Sequence, residues 1–533
     1  MNEAQYDVIV IGAGSAGCAV AARLSEGGKY RVALLEAGPK DTSPWIHLPL
    51  GYGKTMWDER VNWKLFTEPD ANMGNRRIYW PRGKVLGGSS AINGLIAIRG
   101  QAADYDEWAN YGGEQWNYRS VLPYFKRLEH FNSDANPAFH GKSGPISVDA
   151  IRHKHPLIEA FIQSANAVGI PRNDDFNGPS QEGAGYYHLT TRKGLRSSAA
   201  VGYLRPARKR KNLDILTDAR VTRIRFDGRR ATGVDYLSGG QARSLTARRG
   251  VVLSAGAVHT PQLLMLSGVG PAGHLQDHGI PVLNDLSGVG ANLQDHLQFR
   301  LIFRCNRPIS TNDQLNSLFG KMKIGLQWLM TRTGPLAVGI NQGGMFASVM
   351  PGANRPDVQF HVATLSADMA GGKVHTYSGF TMSVCQLRPE STGTIRLASA
   401  DPAAQPLINA NYLEAELDRR VAIGGIKLAR RIARTGPLRG IVDAEILPGD
   451  AAQDDASILE FARQNGATIF HPTSTCRMGP ADDAGAVVDP NLKVRGLEGL
   501  WIADCSVMPR IVSGNTNLPA IMIGEKLADH LRK

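Results

Sequence analysis

A glycine-rich turn between two apolar runs, near the start of the chain, constrains the fold more than any other feature. Residues 6–11 are a β-rich apolar run, and residues 12–17 follow at once with the spacing GxGxxG. Residues 18–24 then have helical composition, and a second apolar run, residues 31–35, ends in Glu36. Strand, turn, helix, strand and acid in this register predict a βαβ unit of the dinucleotide-binding type.

The residues of this turn suit a bound dinucleotide in different ways. Gly12 permits the tight turn, Gly14 lets a pyrophosphate approach the backbone, and Gly17 lets the helix pack closely on the strand. The helix N-terminus, at Ser15, faces the phosphates, and the Glu36 carboxylate can accept hydrogen bonds from ribose hydroxyls. This unit alone does not distinguish NAD from FAD.

Two kinds of pattern follow the βαβ unit along the chain. Buried-strand and helix patterns predict strands at residues 213–216, 221–226, 250–254 and 499–504 and helices at residues 262–266 and 519–531. Residues 156–204 and 301–464 instead alternate polar and apolar side chains, which predicts half-exposed antiparallel strands, for example at residues 357–362.

The chain length and these patterns together predict two domains. A chain of 533 residues exceeds the size at which one core stops growing. We expect an α/β fold in which the Rossmann-type domain is discontinuous and carries an inserted antiparallel-sheet domain for substrate. The predicted nucleotide-binding domain comprises residues 1–155, 205–300 and 465–533, and the predicted substrate-binding domain comprises residues 156–204 and 301–464.

The charge of the chain restricts its partners. The formal net charge is +12, and residues 205–211 form the strongest basic cluster. A solvated surface turn is the favoured interpretation, and contact with anionic lipid headgroups or an acidic partner is the alternative. Because no helix-turn-helix, RNA-binding or zinc-finger pattern accompanies the charge, we expect no nucleic-acid partner.

The cysteines and the N-terminus indicate a cellular compartment. Five scattered cysteines, without a CxxC pair, fit a reducing environment, and we expect no metal site. The N-terminus lacks the order of a signal peptide, and no stretch is apolar enough to span a bilayer. We therefore expect a cytoplasmic protein. If the basic cluster contacts anionic lipid headgroups, the protein would also associate peripherally with the inner membrane.

A second glycine-rich stretch occupies residues 81–94. Its two glycines and two serines, residues 87–90, make a loop rich in donors that can run against a phosphate or a flavin ring. A surface loop is the simpler interpretation of such a stretch. The apolar run that follows at residues 95–98 favours burial.

Four segments make the chain closely resemble the glucose–methanol–choline (GMC) oxidoreductase family over nearly its whole length. Residues 83–106 and 256–270 resemble the two signatures of that family, and residues 290–296 and 471–479 are similarly typical. The resemblance implies a Rossmann-type FAD-binding domain with an inserted antiparallel-sheet substrate domain. Within the family the chain is most similar to bacterial dehydrogenases of choline, long-chain alkanols, polyethylene glycol and sorbose.

The resemblance also implies how FAD would be held. Its pyrophosphate would lie on the turn at residues 12–17 and near Asp504, its ribose on Glu36 and its adenine near Val221. The flavin and pyrophosphate would be lined by a further set of residues, namely Val85, Gly88, Asn93, Gly94 and Ile96. Thr516 is a further candidate for binding the cofactor. Some relatives attach FAD covalently through a histidine immediately before the asparagine that matches Asn93. That position is Ile92 here, so we expect non-covalent FAD.

Oxidation of an alcohol requires a base for the hydroxyl proton and an acceptor for the α-hydride. His471 is the natural base, because imidazole titrates near neutral pH; a buried structural histidine is the alternative. By resemblance, the second residue facing the substrate oxygen is Asn515, which can donate a hydrogen bond but cannot act as a base. We expect Asn517 to cap the last helix.

Several activities remain compatible with these residues. The favoured one is oxidation of a small or polymeric alcohol, with electrons passed to a quinone-type acceptor. An alcohol oxidase that uses oxygen, a hydroxynitrile-lyase-like member that keeps FAD without redox chemistry, and a flavin-binding protein without activity are the alternatives. The pattern identifies neither the alcohol nor the oligomeric state.

Overall fold

Two large sheets of different kinds organise the chain. The structure is a computed structural model, and it describes residues 4–134, 136–369 and 371–533. One sheet is largely parallel and contains the N-terminal strand, and the other is antiparallel. The α/β fold class predicted from the sequence is confirmed.

The parallel sheet contains the predicted βαβ unit. Its strands lie in the order Leu213–Leu216, Val32–Leu35, Gln5–Ile11, Gln241–Leu253, Arg230–Ser238 and Ala219–Asp227, and Leu500–Ile502 pairs with Gln241–Leu253. The N-terminal strand pairs in parallel with both of its neighbours, as a Rossmann-type sheet requires. Residues of Gln5–Ile11 and Val32–Leu35 are almost all buried, because helices or further strands cover the sheet.

Glycine at position 17 lets the first helix approach the sheet. The helix Ser15–Leu24 follows the turn directly, and a Cβ added to Gly17 would lie 1.9 Å from the carbonyl oxygen of Gly12. Any larger residue would therefore push the helix away from the strand. The last helix, Asn517–Arg532, packs on this first one, with Gly524 against Ala16.

The antiparallel sheet forms the second half of the core. Its strands lie in the order Val442–Leu447, Leu297–Cys305, Gly379–Gln386, Val358–Ala363, Asn341–Ala347 and Gly183–Tyr186, and Ala467–Thr468 pairs with Leu297–Cys305. The predicted domain boundary at residues 300 and 301 falls inside one of these strands. The remaining domain limits stay predictions.

The central strands of this sheet are not half-exposed, and that prediction was wrong. Every residue of Val358–Ala363 and of Gly379–Gln386 is buried. The helix Glu416–Ala433 covers one face, where Gly425 approaches Val384 and Val358. The other face points at a large internal cavity, to which His361 contributes. The alternation of residues 357–362 therefore separates an apolar face from a polar cavity wall.

The remaining elements are mostly helices around the two sheets. The longer helices not yet named are Ala102–Gly112, Tyr118–Leu128, Pro156–Ala167, Gly256–Leu266, Ala272–Asp277, Leu318–Thr331 and Asp455–Asn465. The shorter ones are Pro44–His47, Tyr52–Thr55, Arg205–Ala207, Thr311–Leu315 and Gly436–Arg439. Minor sheets pair Leu65–Phe66 with Tyr79–Trp80, Thr191–Arg192 with Leu195–Arg196, Val269–Gly270 with Asn284–Asp285, Thr394–Arg396 with Leu407–Asn409, and Ile146–Ala150 with Glu129–Phe131 and His188–Leu189. Within the described residues, no helix combines the length and the apolar character needed to cross a membrane.

One predicted helix is longer than its pattern indicated. The helix predicted at residues 262–266 begins at Gly256 and contains Pro261. Proline lacks the N–H that would bond to the carbonyl oxygen four residues earlier. That oxygen, of Ala257, instead accepts a hydrogen bond of 2.6 Å from the Thr475 hydroxyl. A side chain distant in sequence thus replaces the missing helical bond.

Candidate active site

One cavity is lined by residues of both sheets and brings most of the predicted site residues together. Its wall includes residues from both glycine-rich stretches and from the C-terminal segment, namely Gly12, Gly14, Ser15, Glu36, Gly88, Asn93, Gly94, Ile96, Val221, Asp504, Thr516, His471 and Asn515. Two predicted residues are not on the wall. Gly17 packs beneath the turn, and Val85 lies in a small buried apolar cluster with Val61 and Ile92.

The first end of the cavity has the features of a nucleotide site. The Glu36 carboxylate accepts hydrogen bonds from the backbone N–H groups of Ala13 and Gly38, at 3.0 and 2.9 Å. Burial raises the pKa of Glu36 to about 7, and these two N–H groups oppose the shift. Such a buried acid, held at the end of a strand beside the cavity, is placed to accept from a sugar hydroxyl.

The two glycine-rich stretches touch each other at this end. A Cβ added to Gly88 would lie 2.6 Å from the Cα of Gly14, so the loop rests directly on the turn. A Cβ added to Gly14 would meet only the Ser254 carbonyl oxygen, at 3.9 Å. Packing within the described protein therefore does not explain glycine at position 14. A pyrophosphate against the backbone does explain it, and the cavity fits a dinucleotide.

Two helix N-termini open onto the cavity. The helices Ser15–Leu24 and Asn517–Arg532 begin after Gly14 and Thr516, and no described side chain caps either of them. Both carry the positive end of a helix dipole toward the cavity wall. The neighbouring Asp504 carboxylate is already engaged, because it accepts from Gly256 N–H at 2.9 Å and from the Thr260 hydroxyl at 2.6 Å.

Hydrogen bonds to Asn93 hold the loop that lies beside the predicted flavin position. Asn93 accepts hydrogen bonds from the Leu95 N–H and, at 2.7 Å, from the Arg196 guanidinium. Ile92, the residue before Asn93, is buried and lies on the cavity wall. An aliphatic side chain cannot form a bond to a flavin.

Hydrogen bonds to the backbone around His471 fix its position at the other end of the cavity. Its N–H donates to the Asp295 carboxylate at 2.7 Å, and the Thr468 hydroxyl donates to the same carboxylate. The residue before it, Phe470, has φ +72°, a left-handed conformation that is strained for a bulky side chain. The Arg82 guanidinium donates to the Phe470 carbonyl at 2.7 Å and stabilises this backbone conformation. The strained backbone aims the imidazole into the cavity.

A chain of hydrogen bonds fixes the protonation of His471. The Nε2 of His296 lies 2.9 Å from the Leu387 carbonyl oxygen, which can only accept, so this nitrogen carries a proton. The Nδ1 of a neutral His296 is then an acceptor, and the Nδ1 of His471, 3.0 Å away, must be the donor. The Nε2 of His471 is therefore the acceptor nitrogen of the ring. This nitrogen faces the amide of Asn515 at 3.2 Å.

The other end of this hydrogen-bond chain assigns the donors and acceptors in the same way. The Tyr187 hydroxyl donates to the Phe360 carbonyl at 2.6 Å, so it accepts from the Gln359 amide N–H at 3.0 Å. Gln359 also donates to the Asn515 amide oxygen at 3.1 Å, which turns the Asn515 nitrogen toward His471. Two backbone carbonyls, one at each end, therefore orient every group between them.

Burial keeps these imidazoles neutral. Burial, and then the neighbouring His296, His361 and Arg82, hold the pKa of His471 well below its usual range. Burial likewise lowers the pKa of His296 to about 4 and that of His361 to about 3. A neutral imidazole can accept a proton at this nitrogen from a group that enters the cavity and replaces the hydrogen bond from Asn515.

The structure corrects one expectation about the last helix. Asn517 is the first residue of the helix rather than its cap, and its amide oxygen accepts a hydrogen bond of 2.8 Å from the Ser15 hydroxyl. Asn515 does not cap the helix either, since its amide bonds to Gln359 and His471. Asn517 therefore joins the two helix N-termini, while Asn515 lies beside the imidazole.

Three residues of the site were missed in the sequence. His296 belongs to the motif at residues 290–296, so its position beside an aspartate was a usable signal. Gln359 and His361 alternate with apolar residues on one strand, and that alternation was assigned to solvent instead of a cavity. His361 Nδ1 and Gln359 Oε1 are buried without a hydrogen-bond partner among the described residues.

Fold and site together define a flavin-dependent oxidoreductase with a dinucleotide site and a histidine–asparagine pair. The chain belongs to the GMC oxidoreductase family and binds FAD. The N-terminal GMC oxidoreductase model matches residues 6–298, and the C-terminal one matches residues 389–524.

Individual relatives cover the chain almost completely. An alcohol dehydrogenase [acceptor] of Pseudomonas putida is 42% identical over 98% of this chain and 95% of its own length. An oxygen-dependent choline dehydrogenase of Brucella suis is 41% identical over 99% and 95%. Among solved structures, pyridoxine 4-oxidase from Mesorbium loti has a TM-score of 0.89 at 28% identity over 99% of both chains. A formate oxidase variant from Aspergillus oryzae has a TM-score of 0.93 at 25% identity, covering 100% of this chain and 99% of its own.

Proposed function

We propose that this enzyme oxidises an alcohol to an aldehyde or ketone, with His471 as the general base and Asn515 as the donor to the substrate oxygen. The observation that carries the proposal is the oriented hydrogen-bond chain, which leaves the lone pair of His471 Nε2 beside the Asn515 amide. An alcohol oxygen that replaces this direct hydrogen bond would lose its proton to the imidazole and accept a hydrogen bond from the amide.

The residues divide the work of the reaction. When bound, FAD supplies the acceptor for the hydride that leaves the substrate α-carbon. His471 removes the hydroxyl proton, and the developing oxyanion is stabilised by the amide N–H of Asn515. His296 keeps the proton on Nδ1 of His471, so that Nε2 is the basic atom. Ile92 favours FAD that is held without a covalent bond.

The cavity favours an uncharged alcohol over choline. Among the described residues of its wall the carboxylates are Glu36 and Asp504, and both are engaged by backbone N–H groups at the nucleotide end. The wall near His471 carries Arg82 and no acid. A quaternary ammonium would lack an anionic partner there, whereas a neutral alcohol needs none.

A quinone-type molecule is the proposed electron acceptor. The support is the similarity to a dehydrogenase named for a separate acceptor, at 42% identity. Oxygen is the alternative, since other similar proteins are named as oxygen-dependent or as oxidases.

An anaerobic screen of alcohols tests the proposal. Aliphatic, aromatic and polymeric alcohols and choline would each be mixed with the FAD-loaded enzyme, and bleaching of the flavin absorbance would be followed. We expect bleaching by neutral alcohols and little by choline. If no alcohol bleaches the flavin, the non-redox alternative replaces this function. Comparing dye-coupled turnover with peroxide formation then distinguishes a quinone-type acceptor from oxygen.

A further inference from the structure

One helix exposes an apolar face that nothing in the described chain covers. The helix Leu318–Thr331 presents a set of large apolar residues that are between 58% and 80% exposed, namely Leu318, Phe319, Met322, Leu326, Leu329 and Met330. Their spacings of three and four residues place them on one side of the helix. Single exposed apolar residues are common on protein surfaces, but a continuous stripe of this kind marks an interaction site.

The opposite face of this helix is anchored to the protein. Ile324 and Gly320 are buried, and the Trp328 indole N–H donates to the Gly194 carbonyl at 3.1 Å. The Arg332 guanidinium stacks 3.9 Å from the centre of the Trp328 ring. The apolar stripe is therefore held outward by a rigid inner face, and it is not an unfolded segment.

The charged residues of the helix and of the segment that follows it are all basic. Residues 314–356 contain no aspartate or glutamate, and the exposed Lys321 and Lys323 lie on the helix itself. Arg332 borders a hollow that Arg152 also lines. The carboxylate in that hollow, Asp149, is engaged by the Asn132 amide and the Thr191 hydroxyl.

We infer that this helix docks the enzyme onto the surface of an anionic phospholipid bilayer. An apolar stripe flanked by lysines suits the boundary between headgroups and acyl chains, where the stripe is buried and the cations meet lipid phosphates. The helix has 14 residues, which corresponds to about 21 Å, shorter than the roughly 30 Å of a hydrocarbon core. It lies in the plane of the surface instead of crossing the bilayer.

The docking surface is joined to the active-site cavity. The segment that follows the helix, Pro335–Ala337, packs against Pro49–Gly51 and leads to Asn341 on the cavity wall. At the other end, the Asn316 amide donates to the His375 carbonyl at 2.7 Å, beside a loop whose Met369 is also exposed. Membrane-dissolved molecules would thus meet the enzyme at the edge that borders its cavity.

Vesicle co-sedimentation of the FAD-loaded enzyme tests the inference. We expect binding to mixed phosphatidylglycerol–phosphatidylcholine vesicles roughly tenfold or more tighter than to pure phosphatidylcholine, and weakening with salt. Met322→Glu combined with Leu326→Glu should reduce binding at least about tenfold. The matched control, Leu237→Glu with Leu407→Glu, changes exposed leucines elsewhere and should bind like the unaltered enzyme.

Further variants separate the competing explanations. Lys321→Glu with Lys323→Glu should remove the preference for anionic vesicles, whereas Lys209→Glu with Lys211→Glu, in the basic cluster, should preserve it. All variants should retain dye-coupled turnover of a water-soluble alcohol, which shows that they fold. The inference is overturned if the helix variants bind vesicles normally, if the basic cluster alone controls binding, or if the stripe instead mediates a dimer that Met322→Glu with Leu326→Glu dissociates.

Discussion

The Nδ1 atoms of His296 and His471 lie 3.0 Å apart and share one proton, which belongs to His471. This relationship makes His296 a positioning residue, because it decides which nitrogen of His471 is basic. His296→Phe should slow anaerobic flavin reduction about tenfold to a hundredfold, the cost of losing one buried hydrogen bond. His296→Gln, which can offer an acceptor oxygen, should recover part of the rate. Equal rates in both variants would contradict this role.

Removal of the base itself should have a larger effect. His471→Ala is expected to lower the rate of the reductive half-reaction by roughly two to four orders of magnitude, the usual contribution of a general base. FAD should stay bound, because the contacts of the nucleotide end are distant from this residue. Stopped-flow measurement of flavin bleaching by alcohol checks the prediction, and an unchanged rate would show that another group takes the proton.

A negative charge at position 515 should slow the reduction of the flavin. Asn515→Asp would place a carboxylate beside the developing alkoxide and remove the donor, so flavin reduction should slow sharply. Asn515→His keeps a donor and should retain measurable activity. The matched control is Asn517→Asp, which preserves the oxygen that accepts from Ser15. Melting temperatures of the three variants separate loss of chemistry from loss of fold, and an active Asn515→Asp would remove Asn515 from the mechanism.

The pH profile should lack an ordinary histidine titration. The pKa of His471 is lowered by burial, so the base stays neutral well below about pH 6.5, where an unperturbed imidazole gains its proton. The rate of flavin reduction should therefore remain constant through that pH and fall only in more acidic solution. A loss of half the rate near pH 6.5 would mean that substrate or FAD restores an ordinary pKa.

The free energy of unfolding should depend on pH through the buried histidines of the site. The folded-state pKa values of His296 and His361 are lowered to about 4 and about 3, below the unfolded value of about 6.5. The unfolded chain then binds more protons in this window, so the free energy of unfolding should decrease as the pH falls from about 6.5 toward 4. Urea denaturation of the FAD-loaded enzyme at several pH values measures this slope; a flat dependence would contradict neutral burial.

The mode of FAD attachment is open to a direct test. Ile92 has no nucleophilic atom, so acid precipitation of the protein should release all of the flavin into the supernatant. Flavin absorbance that stays with the pellet would indicate a covalent bond through another residue.

The local patterns of the nucleotide-binding half predicted its elements closely. The apolar run at residues 6–11 corresponds to the strand Gln5–Ile11, and residues 213–216 correspond to Leu213–Leu216. These elements are buried in a parallel sheet, so their sequence and their surroundings agree. The helix around Pro261 shows where local patterns fail, because the hydroxyl that replaces its missing hydrogen bond comes from the distant Thr475.

The substrate half was harder to predict for a physical reason. An alternating strand shows that its two faces differ in polarity, but water and a polar cavity leave the same pattern. Gln359 and His361 were therefore assigned to solvent, although His361 lines the cavity and Gln359 bonds to Asn515. The role of His296 depends on a contact across 175 residues of sequence, which no local window contains.

The polar face of Val358–Ala363 also bears on how such an enzyme can be re-engineered. Gln359 and His361 lie in residues 299–388, the stretch between the two segments that match the family. His471 and the glycine-rich turn lie inside the matched segments. A library confined to Asn341 and His361, which line the cavity in that intervening stretch, would reshape the pocket while Gln359 and the rest of the hydrogen-bond chain stay unchanged. Those positions are therefore the natural target for changing which molecules the cavity admits.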